Sequence, residues 1–196
     1  HHDAGAFCCG NEALDLWIKR YARQYARKDM GRTFVVCDAG ANDIRAYYAL
    51  APGQINPGAV GAEFYKGLPR HPVPAVVLTR LAVDNSLKGQ GVGAALLKDA
   101  LGRAVAASDA IGGRVLIFHA IDAQAQAFYQ RFWLVELPDA EEAVLPGWPR
   151  LIDSWESSAA PLLHHAADGP DPTCAPDLSR LGARFLLSCC RWSDAW

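Results

Sequence analysis

Apolar residues at Leu14, Trp17, Ile18, Tyr21 and Tyr25 recur three and four positions apart, the spacing of one inward helical face. Asn11 stands where an N-cap belongs, Phe7 is placed to fold back onto the first turn, and Gly31 holds the position of a left-handed C-cap. Lys19, Arg20, Arg23, Arg27 and Lys28 fall mostly on the other face. Two β-branched and aromatic runs follow, 33–37 and 44–50, separated by the turn residues 38–43, which predicts an antiparallel hairpin. The Pro/Gly-rich stretch 51–74 predicts a loop, with a short helix around Glu63 to Lys66. Residues 76–83 form the strongest strand pattern. A glycine cluster comes next, then an Ala/Leu-rich helix over 94–107, a buried strand over 114–119 and a helix over 123–132. This order predicts a mixed α/β layer, an α/β (α+β) fold without internal repeats.

After Trp133 the pattern decays. Pro138, Pro146, Pro149, Pro161, Pro170, Pro172 and Pro176 interrupt nearly every candidate element, no clean strand follows Leu134, and only 177–189 reads as weakly helical. The expected division is a domain over 1–137 and an irregular Pro/Trp/acidic tail over 138–196, read as non-native or disordered.

The 196 residues suffice for one domain with a buried core, and no apolar run reaches the ~20 residues of a membrane span. No signal segment opens the chain, and His1 in place of Met reads as a truncated or tag-derived start. The net charge of −2 hides an asymmetry. Residues 1–133 hold 15 of 19 basic and 11 of 21 acidic residues, so the first two-thirds is mildly basic and the rest acidic. Cys8, Cys9, Cys37, Cys174, Cys189 and Cys190 show no C-x-x-C spacing. They read as reduced cysteines of a cytosolic protein, with no metal site. His71, His164 and His165 read as ordinary surface or loop residues.

Candidate chemistry centres on Lys88-Gly-Gln-Gly91-Val-Gly93, between the best strand and a helix. Small residues there let successive N–H groups converge, and a helix N-terminus adds partial positive charge, so a pyrophosphate fits. A plain glycine-rich turn has the same pattern. A Walker loop is excluded because Ala94-Ala95-Leu96 provides no hydroxyl for Mg²⁺. A dinucleotide fingerprint matches at Gly89, Gly91 and Ala94, but it follows a hairpin and lacks the acidic residue at the end of the next strand. A third class that could use such a turn is the pyrophosphate of an acyl-coenzyme A.

At these residues the chain resembles the GNAT family of N-acetyltransferases. Lys88-Gly-Gln-Gly91-Val-Gly93 is similar to the family's [Q/R]-x-x-G-x-[G/A] phosphate motif, with Lys in the first place. Asp122-Ala-Gln-Ala125-Gln-Ala-Phe128-Tyr129 is similar to its N-x-x-A-x-x-[F/L]-Y signature, with Asp in place of Asn. The resemblance implies the GNAT fold, a mixed central sheet with a splayed acetyl-CoA-binding strand and flanking helices. It implies acetyl-CoA held by Lys88, Gly89, Gln90, Gly91, Val92, Gly93 and Ala94, by the strand backbone at Leu81, Ala82 and Val83, and by Asp122 and Phe128. It also makes Tyr129 the catalytic acid; without the signature, Tyr129 reads as a core tyrosine.

Within this family, Phe7-Cys-Cys9-Gly-Asn11-Glu-Ala-Leu14-Asp15 resembles the F-x-C-G-N-x-x-L-D opening of acetyltransferase toxins from bacterial toxin–antitoxin pairs. The likeness continues through Tyr21-Ala-Arg23-Gln, Arg32-Thr-Phe34-Val, Leu68-Pro-Arg70, Pro72-Val-Pro74, Arg80-Leu-Ala-Val83 and His119-Ala-Ile-Asp122, over residues 5–132. It implies a cytoplasmic enzyme that acetylates the α-amino group of aminoacyl-tRNA and so blocks translation, a small DNA-binding antitoxin as partner, and a homodimer. Candidate tRNA contacts are Arg20, Arg23, Arg27, Lys28, Arg70 and Arg80, a set that also reads as a solvated helix face with loop cations.

The chemistry agrees with that acceptor. An α-amino group titrates near ~8 against ~10.4 for lysine, so it needs little help from a base. The departing thiolate needs a proton, which a phenol titrating near ~10 retains at neutral pH. Two other readings stay open: acetylation of small amines or protein termini, and an inactive acyl-CoA-binding remnant.

Overall fold

A computed structural model of the chain describes residues 2–38, 40–56, 71–113, 115–132, 135–136, 142–146 and 187–191. The helix around 94–107, the short helix expected at Glu63 to Lys66 and the tail meet it differently. The first extends over a longer range, the second lies outside the described residues, and the third holds strands.

Asn11 caps helix α1 (Glu12–Leu16), its side chain accepting the Leu14 N–H at 3.2 Å. One π-helical turn, Trp17–Tyr21, then precedes α2 (Ala22–Arg27), and the Ala22 N–H reaches back to the Trp17 carbonyl. The inserted residue advances the inward face by roughly 100°. Trp17, Ile18 and Ala22 are therefore buried, whereas Tyr21, expected inward, is 48% exposed. The helix ends at Asp29 rather than at Gly31. Asp29 takes φ 51°, its N–H bonds the Ala26 carbonyl at 3.1 Å, and the Met30 N–H bonds the Tyr25 carbonyl at 3.2 Å. This is a Schellman closure with aspartate, a residue that tolerates the left-handed region, in the place usually held by glycine.

Residue contacts divide the chain into two units. The first comprises His1–Leu50, Arg80–Leu101 and Pro161–Trp196. Its hairpin pairs β1 (Arg32–Asp38) with β2 (Ile44–Ile55) antiparallel, from Arg32 opposite Leu50 to Cys37 opposite Ile44, with a bulge at Val36/Cys37. Tyr47 organises its core: the ring stacks on Trp17 at 5.6 Å, meets Phe7 edge-on at 5.5 Å and donates its hydroxyl to the Leu14 carbonyl at 2.8 Å. On the alternate positions Phe34 stacks on Tyr48 at 4.9 Å, and the Tyr48 hydroxyl donates to Asp99.

The second unit comprises Ala51–Thr79 and Gly102–Ala160. Strand β2 continues to Ile55 and β3 spans Val73–Val83, so both ends of the stretch read as a loop are strand. A Cβ on Gly53 would collide with Val77, which is why a glycine sits in this strand. Helix α3 (Val92–Ile111) leads to β4 (Val115–His119), parallel to β3 from Ala75 opposite Val115 to Leu78 opposite Phe118. Ile55, Val73, Ala75, Val115 and Ile117 form its apolar cluster. Helix α4 (Ala123–Gln130) follows.

The expectation that no strand follows Leu134 is overturned. Strand β5 (Val135–Glu136) pairs with β6 (Glu142–Pro146), and β6 runs antiparallel to β4 from Val115 opposite Pro146 to His119 opposite Glu142. In the first unit β7 (Leu187–Arg191) pairs with β1, from Phe34 opposite Arg191 to Asp38 opposite Leu187. The weakly helical reading of 177–189 therefore fails at Leu187–Cys189. An open strand edge offers a row of unmet N–H and C=O groups, and pairing with it outweighs weak local propensity. The hydrogen-bonded strand order is β5-β6-β4-β3-β2-β1-β7. Among the described residues no helix is long and apolar enough to cross a membrane.

Candidate active site

In the first unit β3 ends at Val83 and the chain must turn into α3. Asp84 organises that turn. Its side chain accepts the Ser86 N–H at 3.0 Å and the Ser86 hydroxyl at 2.6 Å, capping a 3-10 turn over Asn85–Leu87. Its own N–H donates to the Arg45 carbonyl at 2.8 Å. Burial opposes its ionisation, but the bonds from Ser86 and Cys8 and the nearby Arg45 prevail and hold its carboxyl below the ordinary value.

The glycine turn follows. Gly89 and Gly91 adopt φ 75° and 81°, the left-handed region. A Cβ at Gly89 would meet nothing within 4 Å, so this glycine is needed for its backbone conformation and not for space. The Ala95 N–H donates to the Gly91 carbonyl at 3.1 Å, which leaves the N–H groups of Val92, Gly93 and Ala94 without acceptors inside α3. The first turn of this 20-residue helix carries no acidic residue. Unspent donors and the positive end of the helix dipole suit a phosphate group. The Gln90 side chain donates to the Ser86 carbonyl at 2.9 Å.

The N-terminal segment docks on the same loop, which the sequence did not disclose. The Cys8 N–H donates to Asp84 Oδ2 at 3.0 Å, and the Asn85 N–H donates to the Cys8 carbonyl at 2.9 Å. Lys88 Nζ donates to the Cys9 carbonyl at 2.6 Å. The Cys9 N–H donates to Asp15 at 2.8 Å, and burial together with that carboxylate pushes the Cys9 thiol up to about 11. Cys8 is exposed, and Cys8, Cys9 and Cys37 are free thiols. The one local signal for this docking is the Asp84-Asn-Ser86 spacing of an Asx turn.

Of the strand residues expected along the acyl arm, Ala82 is buried in the first unit's core, and Leu81 and Val83 are half-buried. The parallel register with β4 covers Ala75 to Leu78, so Leu81–Val83 lie beyond it.

In the second unit Asp122 caps α4, its side chain accepting the Ala125 N–H at 2.7 Å. Aspartate in the signature's asparagine position thus has a structural task, as an N-cap. Tyr129 is 6% exposed, its ring 5.2 Å from Phe118 and 5.3 Å from Phe128. Burial drives its hydroxyl well above the ordinary tyrosine value, so the phenol stays protonated. Among the described residues its hydroxyl makes no hydrogen bond. Phe128 is half-buried and also contacts Phe132 at 5.2 Å.

The candidate cations separate into two kinds. Arg20, Arg23, Arg27 and Lys28 are exposed, and Arg23 donates to the His2 carbonyl at 3.2 Å. Arg80 is half-buried with its guanidinium 4.5 Å above the Trp17 ring. Arg70 lies outside the described residues.

A glycine turn between a strand and a helix in the first unit, and a parallel strand and a helix bearing a buried tyrosine in the second, are the features expected of an acyl-coenzyme A-dependent transferase. The acetyltransferase (GNAT) family model matches residues 13–132, and the chain belongs to that family and is an N-acetyltransferase. The tRNA-acetylating toxin of Mycobacterium tuberculosis (strain ATCC 25618 / H37Rv) is 37% identical over 130 residues, 66% of this chain and 76% of the relative. The structure of AtaT complexed with acetyl-methionyl-tRNAfMet matches with a TM-score of 0.72 and 28% identity, covering 79% of this chain and 92% of that one. The structure of AtaTR bound with acetyl-CoA matches with a TM-score of 0.68 and 29% identity, covering 77% and 91%.

Proposed function

We propose that this chain transfers the acetyl group of acetyl-CoA to the α-amino group of aminoacyl-tRNA, acting in the cytoplasm as the translation-blocking toxin of a toxin–antitoxin pair. The observation that carries the acetyl-CoA assignment is the left-handed Gly89–Gly91 turn opening α3 with no acidic residue in its first turn. The tRNA assignment draws on the likeness to the mycobacterial tRNA-acetylating toxin and to AtaT. A cognate antitoxin is inferred from the AtaTR complex.

When bound, acetyl-CoA supplies an activated thioester. The N–H groups of Gly91, Val92, Gly93 and Ala94 would receive its diphosphate, and the backbone of Leu81–Val83 would hold the arm and polarise the acyl oxygen. Tyr129 keeps its proton at neutral pH and would supply it to the departing sulfur. Arg20, Arg23, Arg27, Lys28 and Arg70 draw the tRNA phosphates, with Arg80 on Trp17 as a less hydrated cation.

Incubation with labelled acetyl-CoA and total charged tRNA tests this reading. Label should appear on aminoacyl-tRNA, fall sharply in Tyr129→Phe, and be absent from free amines. Transfer to free amines or protein termini alone would replace the tRNA reading. Binding of acetyl-CoA without turnover, with Tyr129→Phe unchanged, would identify an inactive remnant.

A further inference from the structure

We propose that Asp84 is a positioning residue for the acetyl donor: it holds the glycine turn in place through the backbone of Cys8 and Cys9, and Lys88 completes the same strut. The inference rests on the reading that the turn receives the donor's diphosphate. Asp84 lies five residues ahead of Gly89, close in sequence to a place meant for an anion, where a carboxylate gains nothing by contact with the ligand. Its hydrogen bonds show another task. It takes the Cys8 N–H at 3.0 Å and both Ser86 donors, while Asn85 returns a bond to the Cys8 carbonyl at 2.9 Å. The segment that bears Cys8 is anchored independently, by Phe7 in the core at 1% exposure and by the Cys9 N–H on Asp15.

Lys88 stands at the first position of the glycine turn. Its ammonium donates to the Cys9 carbonyl at 2.6 Å, so a cation read from the sequence as a phosphate neighbour has a backbone partner on the N-terminal segment. A Cβ on Gly10 would come within 3.6 Å of Lys88 Nζ and 3.4 Å of Asn85 Oδ1, and Gly10 itself is left-handed at φ 82°. The loop over 84–88 is thus tied at Asp84, Asn85 and Lys88 to a single anchored segment nearly 80 residues away in sequence. A loop so tied presents its N–H groups without paying the ordering entropy when the ligand arrives.

Steady-state kinetics of the full chain with charged tRNA, using acetyl-CoA and acetyl-pantetheine as alternative donors, tests the strut. Asp84→Asn should raise KM for acetyl-CoA about tenfold, with kcat within about twofold and KM for the tRNA unchanged. With acetyl-pantetheine, which has no diphosphate, it should match the wild type. Lys88→Met should behave likewise and Lys88→Arg should restore the wild-type KM. The double variant Asp84→Asn/Lys88→Met should cost no more than the larger single effect, because both act through one segment. If Asp84→Asn does not fold, Ser86→Ala, which removes one bond to Asp84 at a residue outside the donor site, carries the test and should raise KM for acetyl-CoA but not for acetyl-pantetheine. Unchanged KM for acetyl-CoA in the folded variants, an equal loss with acetyl-pantetheine, or full additivity in the double variant would overturn the strut. A wild-type chain that binds no CoA in calorimetry would instead overturn the diphosphate reading beneath it.

Discussion

The Tyr129 hydroxyl belongs to a ring packed against Phe118 and Phe128, where ionisation would leave a phenolate poorly solvated. Its affinity for the proton is therefore raised, and a phenol in the proposed role of acid for the leaving thiolate would retain its proton well into alkaline solution. The acceptor behaves oppositely: an α-amine titrating near ~8 gains nucleophilicity as pH rises. The rate with charged tRNA should therefore climb through about pH 8 and show no falling limb near ~10, as a pH–kcat/KM profile would reveal. Tyr129→Phe should lower kcat by roughly 10²-fold or more, with KM for acetyl-CoA little changed. Asp84 sets a different limit. Its folded carboxyl lies below the unfolded value, so its contribution to stability is complete above the unfolded value near ~3.9 and disappears as pH falls through the folded one. Asp84→Asn should flatten the acid limb of a urea-stability profile taken from pH 5 downward.

The elements show where local rules suffice and where they fail. Asn11 and Asp122 are both legible as N-caps, and both cap. Asp122→Ala should cost about 1 kcal/mol in urea unfolding, while Asp122→Asn should stay within ~0.5 kcal/mol of the wild type. Gly91→Ala should cost roughly 1 kcal/mol, because a Cβ disfavours φ 81°, and should raise KM for acetyl-CoA by displacing the N–H groups that open α3. The first helix was only half readable. Spacing named Trp17 and Ile18 as inward, but across the π turn Ala22 is buried and Tyr21 exposed, while Trp17 stacks on Tyr47. Trp17→Ala should destabilise by about 3 to 5 kcal/mol through the cavity left against Tyr47, measured by thermal or urea denaturation.

At the scale of the molecule, the strands of the last third change what the tail means. Its prolines and acidic charge read as an irregular appendage, yet β6 covers the edge of β4 and β7 the edge of β1. Deletion of 140–196 should therefore abolish cooperative unfolding and expose apolar surface, as dye binding and the loss of a thermal transition would show. The basic character of residues 1–133 is a property of that scale too. KM for charged tRNA should rise steeply with salt, and Arg20→Ala or Arg27→Ala should reduce the slope of that dependence.

The amino-acid sequence by itself determined the helix–hairpin start, the strand–glycine–helix–strand order and the turn at Gly89–Gly91. Periodicity, capping and left-handed backbone needs are local, set by neighbours a few positions apart. Only the tertiary structure decided that Asp84 and Lys88 reach Cys8 and Cys9, that Arg80 lies on Trp17, and that residues 142–146 and 187–191 become strands. Each of those outcomes depends on which unmet donor, aromatic face or strand edge the fold brings within reach. Sequence spacing carries no record of that proximity.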